Sequence, residues 1–214
     1  MLSKAGAAGL LRSLGGRPEG RFSLRLDMPA GGGAAASTAA RVALARAAGV
    51  TDPKTIVLAC LGSEGAVDPL MLDDPGGLLW ASRPGRVLAR PPARPRMEIV
   101  GGFFGPMRRT DPRDAAFPDI ADHSDAWPAA CGDLAGVAAL ASESARRTIR
   151  LRGPADDPTE TLAAAKGALG FVIAHTGAAR GLIFAPGTVP ETMPAALRAS
   201  GFRHILRFRI GGGR

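Results

Sequence analysis

A glycine-rich loop between two regular segments is the feature that most constrains this chain. Residues 21 to 28 alternate apolar and polar side chains, a period of two that predicts a half-buried β-strand. Residues 29 to 40, PAGGGAAASTAA, follow at once, and the apolar spacing beyond them predicts a helix that ends at Gly49. This order places backbone amides and a helix N-terminus together. The residues alone leave two alternatives equally open: a phosphate site, or small residues that let the helix pack on a sheet.

Composition limits the classes of protein to which the chain can belong. Its 214 residues, 46% of them hydrophobic, can bury one good-sized core or two small ones. The sequence has no apolar run of bilayer-spanning length, and residues 1 to 20 lack the apolar core and cleavage site of a signal peptide. We therefore expect a cytoplasmic protein without a membrane partner.

The formal charge of +8 raises the question of nucleic-acid binding. The arginines are spread along the whole chain, however, and only 5% of the residues are aromatic. Stacking on bases requires aromatic side chains, and binding of a phosphate backbone favours clustered cations. We therefore expect no nucleic-acid partner.

The cysteines and histidines give no sign of a metal site. Cys60 and Cys131 lie far apart without CxxC spacing, so both are interpreted as small core residues. His123 lies among aspartates 119, 122 and 125, a group that we interpret as a solvated loop. His204 is expected in the core or at the edge of the last strand.

A proline-rich segment over residues 90 to 96 predicts a boundary between a lobe of residues 1–90 and a lobe of residues 97–214. In the first lobe we expect helices over 3–14 and 52–61, a loop over 62–74 and a hairpin over 78–88. In the second lobe we expect a strand over 97–104, a loop or short helix over 110–128, and helices over 133–151 and 159–169. Strands over 170–174 and 181–184, a helix over 190–200 and a strand over 202–210 complete it. The chain is thus predicted to be a two-lobed α/β protein.

The glycine-rich loop resembles a known motif. Its pattern P-x-G-x-G followed by Ser37, Thr38 and Ala39 is similar to the second motif of the GHMP kinases, the superfamily of galactokinase, homoserine kinase and mevalonate kinase. The closest form is that of the L-threonine kinases of propanediol-utilisation and cobalamin pathways. Residues 64 to 69, EGAVDP, and 175 to 182, HTGAARGL, are similar to two further segments of that branch. The three segments occur in the family's order and span most of the chain.

The resemblance implies a fold and a site. It implies a truncated N-terminal lobe like that of a ribosomal protein, a ferredoxin-like C-terminal lobe, and ATP and Mg²⁺ as cofactors. Asp68 would orient or deprotonate the acceptor hydroxyl, and Ser37 and Glu64 would ligate Mg²⁺. The resemblance also implies a phosphate-binding group made of Gly31, Gly33, Ala35, Ala36, Ser37 and Thr38. It implies a substrate-binding group made of His175, Thr176 and Gly177.

Two departures from the family pattern leave an alternative open. Ala36 stands where the family has serine, and the strands that carry the family's first motif have no counterpart before residue 21. The leading hypothesis is an ATP-dependent kinase of a small hydroxylated metabolite, L-threonine or a near relative. The alternative is a truncated or non-catalytic homologue that binds a phosphate-bearing ligand, with Asp68 a capping residue and Glu64 solvated. An exposed sheet edge would also predict pairing with a second copy, a homodimer.

Overall fold

The computed structural model describes residues 2–17, 19–108, 111 and 113–212. The chain forms two compact units, one of Met1–Arg90 with Arg109–Asp114 and the other of Pro91–Arg108 with Ala115–Arg214. It is a mixed α and β protein with two small antiparallel sheets. Thr110, the expected start of the loop over 110–128, lies outside the described residues. No described helix is both long enough and apolar enough to cross a membrane.

Three helices form most of the first unit: α1 (Lys4–Ser13), α2 (Ala36–Ala47) and α3 (Pro53–Glu64). The predicted helices over 3–14 and 52–61 are confirmed as α1 and α3, and both are capped by side chains: Ser3 accepts from the Gly6 amide at 3.0 Å, and Asp52 accepts from the Thr55 amide at 2.8 Å. Pro53 occupies the first helical position of α3. The apolar faces of α2 and α3 pack on the segment that follows them, with Val42, Ala45, Ile56, Val57, Cys60, Val67 and Met71 buried.

The predicted hairpin is confirmed as β1 (Leu79–Ala81) paired antiparallel with β2 (Arg86–Ala89), after a short 3-10 turn at Pro75–Gly77. Trp80 fixes it to the helical part of the unit, because its indole N–H donates to the Val67 carbonyl at 2.7 Å.

The predicted strand over residues 21–28 is wrong. These residues are irregular, and Phe22, Leu24 and Met28 are 36–48% exposed. A strand needs a neighbour for its backbone N–H and C=O groups, and no described strand pairs with this segment. The glycine-rich loop therefore follows an irregular segment, and the sheet of the first unit is the β1–β2 hairpin.

A four-stranded antiparallel sheet organises the second unit. Its strands are β3 (Met97–Phe103), β4 (Gly170–Ile173), β5 (Ala179–Phe184) and β6 (Arg203–Ile210), in the order β4-β5-β3-β6. The helices are α4 (Ala121–Ala130), α5 (Leu134–Arg152), α6 (Thr159–Ala165) and α7 (Met193–Ala199). These elements confirm the predicted ones to within a few residues. Along the chain these elements follow as strand, helices, strand, strand, helix and strand, and the first strand, β3, lies inside the sheet. This is a split βαβ arrangement.

The strand β3 carries the core on both of its faces, and all seven of its residues are buried. Val100 on one face packs in a cluster with Leu182 and with Leu197 of α7. Ile99 on the other face packs in a second cluster that includes Val137 of α5. Gly101 permits close pairing with β5, because a Cβ there would lie 2.0 Å from the Arg180 carbonyl oxygen.

The interpretation of residues around His123 as a solvated loop is wrong. Residues 121–130 form α4, and His123 is only 7% exposed. Its Nδ1 lies 3.1 Å from Asp122, which Arg147 also binds at 2.6 Å. The described residues include no group of three histidine, cysteine, aspartate or glutamate side chains that could hold a metal ion. Both cysteines are free and buried, as predicted.

Candidate functional site

The glycine-rich loop enters α2 through left-handed backbone conformations. The φ angle is +78° at Gly31, +82° at Gly33 and +57° at Ala35, the residue before α2. Glycine adopts such angles at no steric cost, whereas Ala35 does so at about 1–2 kcal/mol. No described side chain accepts a hydrogen bond at this N-cap. The first amides of α2, which include those of Ala36 and Ser37, are therefore left without a side-chain acceptor.

Two hydroxyls of the first turn of α2 face two carboxylates from further along the chain. The Ser37 hydroxyl donates to Glu64 Oε1. The Thr38 hydroxyl donates to Asp68 Oδ2 at 3.2 Å and accepts from the Asp68 amide at 3.3 Å. Two predicted site residues of the glycine-rich motif thus contact two predicted site residues of the segment over 64–69.

The end of α3 explains where Glu64 lies. The helix continues past its predicted end at residue 61 to Glu64, and Gly65 then terminates it with φ at +68°. The carboxylate therefore lies at a helix end opposite the first turn of α2, and the chain turns back within four residues to Asp68.

Arg41 is a member of this site that sequence reasoning missed. One turn after Ser37, its Nη1 donates to the Ser37 hydroxyl at 2.8 Å and to the Ser37 carbonyl at 3.1 Å, and it forms an ion pair with Glu64 Oε1 at 2.8 Å. Its Nε donates to the Ser63 hydroxyl at 2.8 Å. The side chain is only 9% exposed. The i, i+4 spacing from Ser37 was the available signal, but it is weak in a chain so rich in arginine.

Burial and charge set the protonation of the site. Burial raises the pKa of Asp68, an effect that the Thr38 hydrogen bond partly opposes. Nearby, burial raises the pKa of the Cys60 thiol to about 11, so this cysteine is protonated near neutral pH and is no nucleophile there. Arg41, Glu64 and Asp68 contribute one positive and two negative charges when ionised, leaving a net charge of −1.

The cluster is open to solvent on one side. Ser37 and Gly33 are exposed, whereas Thr38 and Arg41 are buried. A ligand that reaches Ser37 would therefore meet the loop and the first amides of α2, with the ion pair beneath them.

The carboxylates fit a hard cation better than the serine does. Magnesium is usually held by one or two carboxylates together with water and substrate phosphates. Glu64 Oε1 is occupied by Arg41 and Ser37, while its Oε2 receives no hydrogen bond from the described residues. Ser37 Oγ would have to leave both partners to bind a metal. Of the two predicted metal ligands, Glu64 therefore keeps one oxygen available and Ser37 does not.

The predicted substrate-binding residues belong to the second unit. His175 follows β4 and lies edge-on to Phe117, with ring centroids 6.4 Å apart. Desolvation, with the charge of Arg152 as a smaller cause, lowers the pKa of His175. The turn continues through Thr176 to Gly177, whose φ is +94° and whose carbonyl accepts from Arg180 at 3.2 Å.

Arg180 itself is structural. It forms an ion pair with Asp157 at 2.8 Å, and the two side chains are only 4% and 1% exposed. A guanidinium held in this way keeps the turn in place and is not available to a ligand.

Comparison with known proteins places this chain in no family. No model of a known protein family matches it, and no curated protein matches its sequence.

Proposed function

We propose that this chain is an ATP-dependent kinase that phosphorylates the hydroxyl of a small metabolite. L-threonine is the first acceptor to test, and cobalamin or propanediol metabolism is the setting that the motifs suggest. The observation that carries the proposal is the meeting of Ser37 with Glu64 and of Thr38 with Asp68, partners 27 and 30 residues apart in the sequence.

The loop and the start of α2 would bind the phosphates. Uncapped amides at a helix N-terminus favour an anion, and the helix dipole adds to the attraction. Gly31 and Gly33 let the main chain approach phosphate oxygens without a Cβ in the way. ATP with Mg²⁺ would supply the phosphoryl group and neutralise its charge, and Glu64 would hold the metal through Oε2.

Asp68 would orient the acceptor and take its proton. A carboxylate whose pKa is raised is a better base for a hydroxyl than an ordinary one, and burial raises that of Asp68. The Thr38 hydroxyl at 3.2 Å holds one carboxylate oxygen in place, which leaves the other for the acceptor. The split βαβ topology of the second unit agrees with the ferredoxin-like lobe that the resemblance implies, whereas the irregular segment over 21–28 does not support the implied first lobe.

A second candidate function is a non-catalytic protein that binds a phosphate-bearing ligand. The contacts of Arg41 with both Ser37 and Glu64 favour it, because a guanidinium already neutralises the residues that would hold the metal. Ala36 favours it as well, because the serine hydroxyl of the family motif is missing there.

Calorimetric titration with ATP and Mg²⁺, paired with a threonine-dependent assay of ADP release, separates the candidates. The kinase proposal expects binding that weakens in Ser37→Ala, because the Ser37 hydroxyl orients Glu64 through Oε1, but not in Ser13→Ala, a serine of α1 that donates to the Leu10 carbonyl. It also expects turnover that Asp68→Asn abolishes while ATP binding persists, with the exposed Asp73→Asn as the matched control. Binding without turnover on any small alcohol would favour the second candidate, and a folded chain that binds no nucleotide would refute the kinase.

A further inference from the structure

A second candidate site lies in the other unit and is independent of the proposed kinase. It is a cavity of about 180 Å³ on the face of the four-stranded sheet that carries Ile99. Ile99 is paired across the strands with Phe208 of β6 and Ile183 of β5, so the three side chains share this face. Trp127 of α4 and Val137 of α5 form the opposite wall. Phe208 is 48% exposed, so the cavity reaches the surface beside β6.

The lining of this cavity is apolar apart from one guanidinium. Among the described residues that line it, Arg94 carries the only charge. Its side chain forms no hydrogen bond or ion pair with another described residue, although its charge acts on the nearby Cys131 thiol. Its backbone is held in place, because the Arg94 carbonyl accepts from the Gly212 amide at 2.7 Å just beyond β6.

The size of the cavity limits the hydrocarbon that it can take. An engineered apolar cavity of about 150 Å³ binds benzene and stays free of water. A cavity of about 180 Å³ has room for one aromatic ring or a short alkyl chain. The guanidinium at its wall is a planar donor that matches a carboxylate through two parallel hydrogen bonds. A phosphate dianion would leave charge unpaired, because no second cation lines the described cavity.

We propose that this cavity binds a small apolar monocarboxylate, with its ring or chain against Trp127 and Ile99 and its carboxylate on Arg94. The apolar part gains by leaving water, and the charge pair fixes the orientation of the ligand. Arg94 is then the residue that distinguishes an acid from a neutral molecule of the same shape.

Titration of the full chain with 3-phenylpropionate tests the proposal, and 3-phenylpropan-1-ol serves as the neutral counterpart. We expect saturable quenching or enhancement of Trp127 fluorescence, with a Kd of about 1 mM or below for the acid. Saturation-transfer NMR gives a second readout that does not depend on tryptophan, and Trp127→Phe should remove the fluorescence change while leaving the NMR signal.

Variants separate the two parts of the site. Arg94→Gln should weaken binding of the acid by about 10-fold or more and leave binding of the alcohol unchanged. Arg96→Gln, outside the cavity lining, should change the affinity for neither ligand. Ala141→Leu fills the cavity and should exclude both ligands. Circular dichroism and the urea midpoint establish that each variant is folded.

Three results would overturn the proposal. The first is the absence of saturable binding by a folded chain. The second is an equal loss of affinity for the acid and for the alcohol in Arg94→Gln. The third is a tryptophan signal that changes with protein concentration and not with ligand, since it would mean that a second copy of the chain covers this face.

Discussion

The ion pair between Arg41 and Glu64 offers the sharpest test of how the candidate site is held together. We consider Arg41→Met, which keeps the length and apolar stem of the side chain but removes its charge, its three hydrogen bonds and its ion pair with Glu64. Glu64→Gln is the matching change on the other side, and the double variant closes a thermodynamic cycle.

The expected magnitude follows from burial. Removing one partner of a fully buried ion pair costs about 3–5 kcal/mol. Arg41 is 9% exposed, but Glu64 is 27% exposed and can regain water when the arginine is lost. We therefore expect Arg41→Met to lower the free energy of unfolding by about 2–3 kcal/mol, and the coupling between the two residues to be about 1–1.5 kcal/mol.

Urea denaturation in a Trp127→Phe background measures this cycle in the first unit, because Trp80 is then the one tryptophan of the chain. Trp80 reports on the correct unit, since its indole donates to Val67. A coupling energy below about 0.5 kcal/mol, a value typical of exposed pairs, would show that this pair does not organise the start of α2. An unchanged Trp80 transition in Arg41→Met would refute it equally.

Three further outcomes are expected. The pKa of Glu98 is lowered to about 2, chiefly by a hydrogen bond from an arginine of β6. The contribution of Glu98 to stability is therefore complete above about pH 4.5 and is lost as the pH falls through about 2. Glu98→Gln should flatten the acid-unfolding curve over that pH range. Gly101→Ala should destabilise the chain by at least about 3 kcal/mol in urea, because its Cβ would meet a β5 carbonyl, whereas Gly9→Ala, with nothing within 4 Å, should stabilise α1 by up to about 1 kcal/mol. Cys60 and Cys131 should react with a thiol reagent at pH 8 only after denaturation, because burial raises the pKa of each thiol; rapid labelling of the native chain would contradict this.

The elements that could be predicted are those whose signals are local. Ser3, Asp52 and Asp133 each accept from the amide three residues on, so the starts of α1, α3 and α5 could be read from the sequence. The strands of the second unit were predictable because β3, β4 and β5 carry short apolar runs, whereas β6 alternates Leu206, Phe208 and Ile210 with arginines.

The parts that sequence reasoning got wrong or missed depend on distant contacts. Residues 21–28 alternate as well as any strand, yet pairing is a tertiary property that a pattern of side chains does not supply. His123 has polar neighbours in sequence but packs in α4, and the site role of Arg41 depends on the helix α3 that lies opposite. The meeting of Ser37 with Glu64 was suggested by resemblance alone, since nothing in their spacing indicates it.

The irregular segment over residues 21–28 has a consequence for how the protein behaves at high concentration. Its backbone has no strand partner among the described residues, and Phe22, Leu24 and Met28 are exposed along it, a combination that promotes aggregation through intermolecular β-pairing. The exposed charges of Arg25 and Asp27, which lie 3.3 Å apart, interrupt this apolar row as gatekeepers. At about 0.1–0.15 M salt, interactions between exposed charges more than about 8–10 Å apart are screened. The colloidal stability of the protein should therefore fall as ionic strength rises, well before its fold is affected.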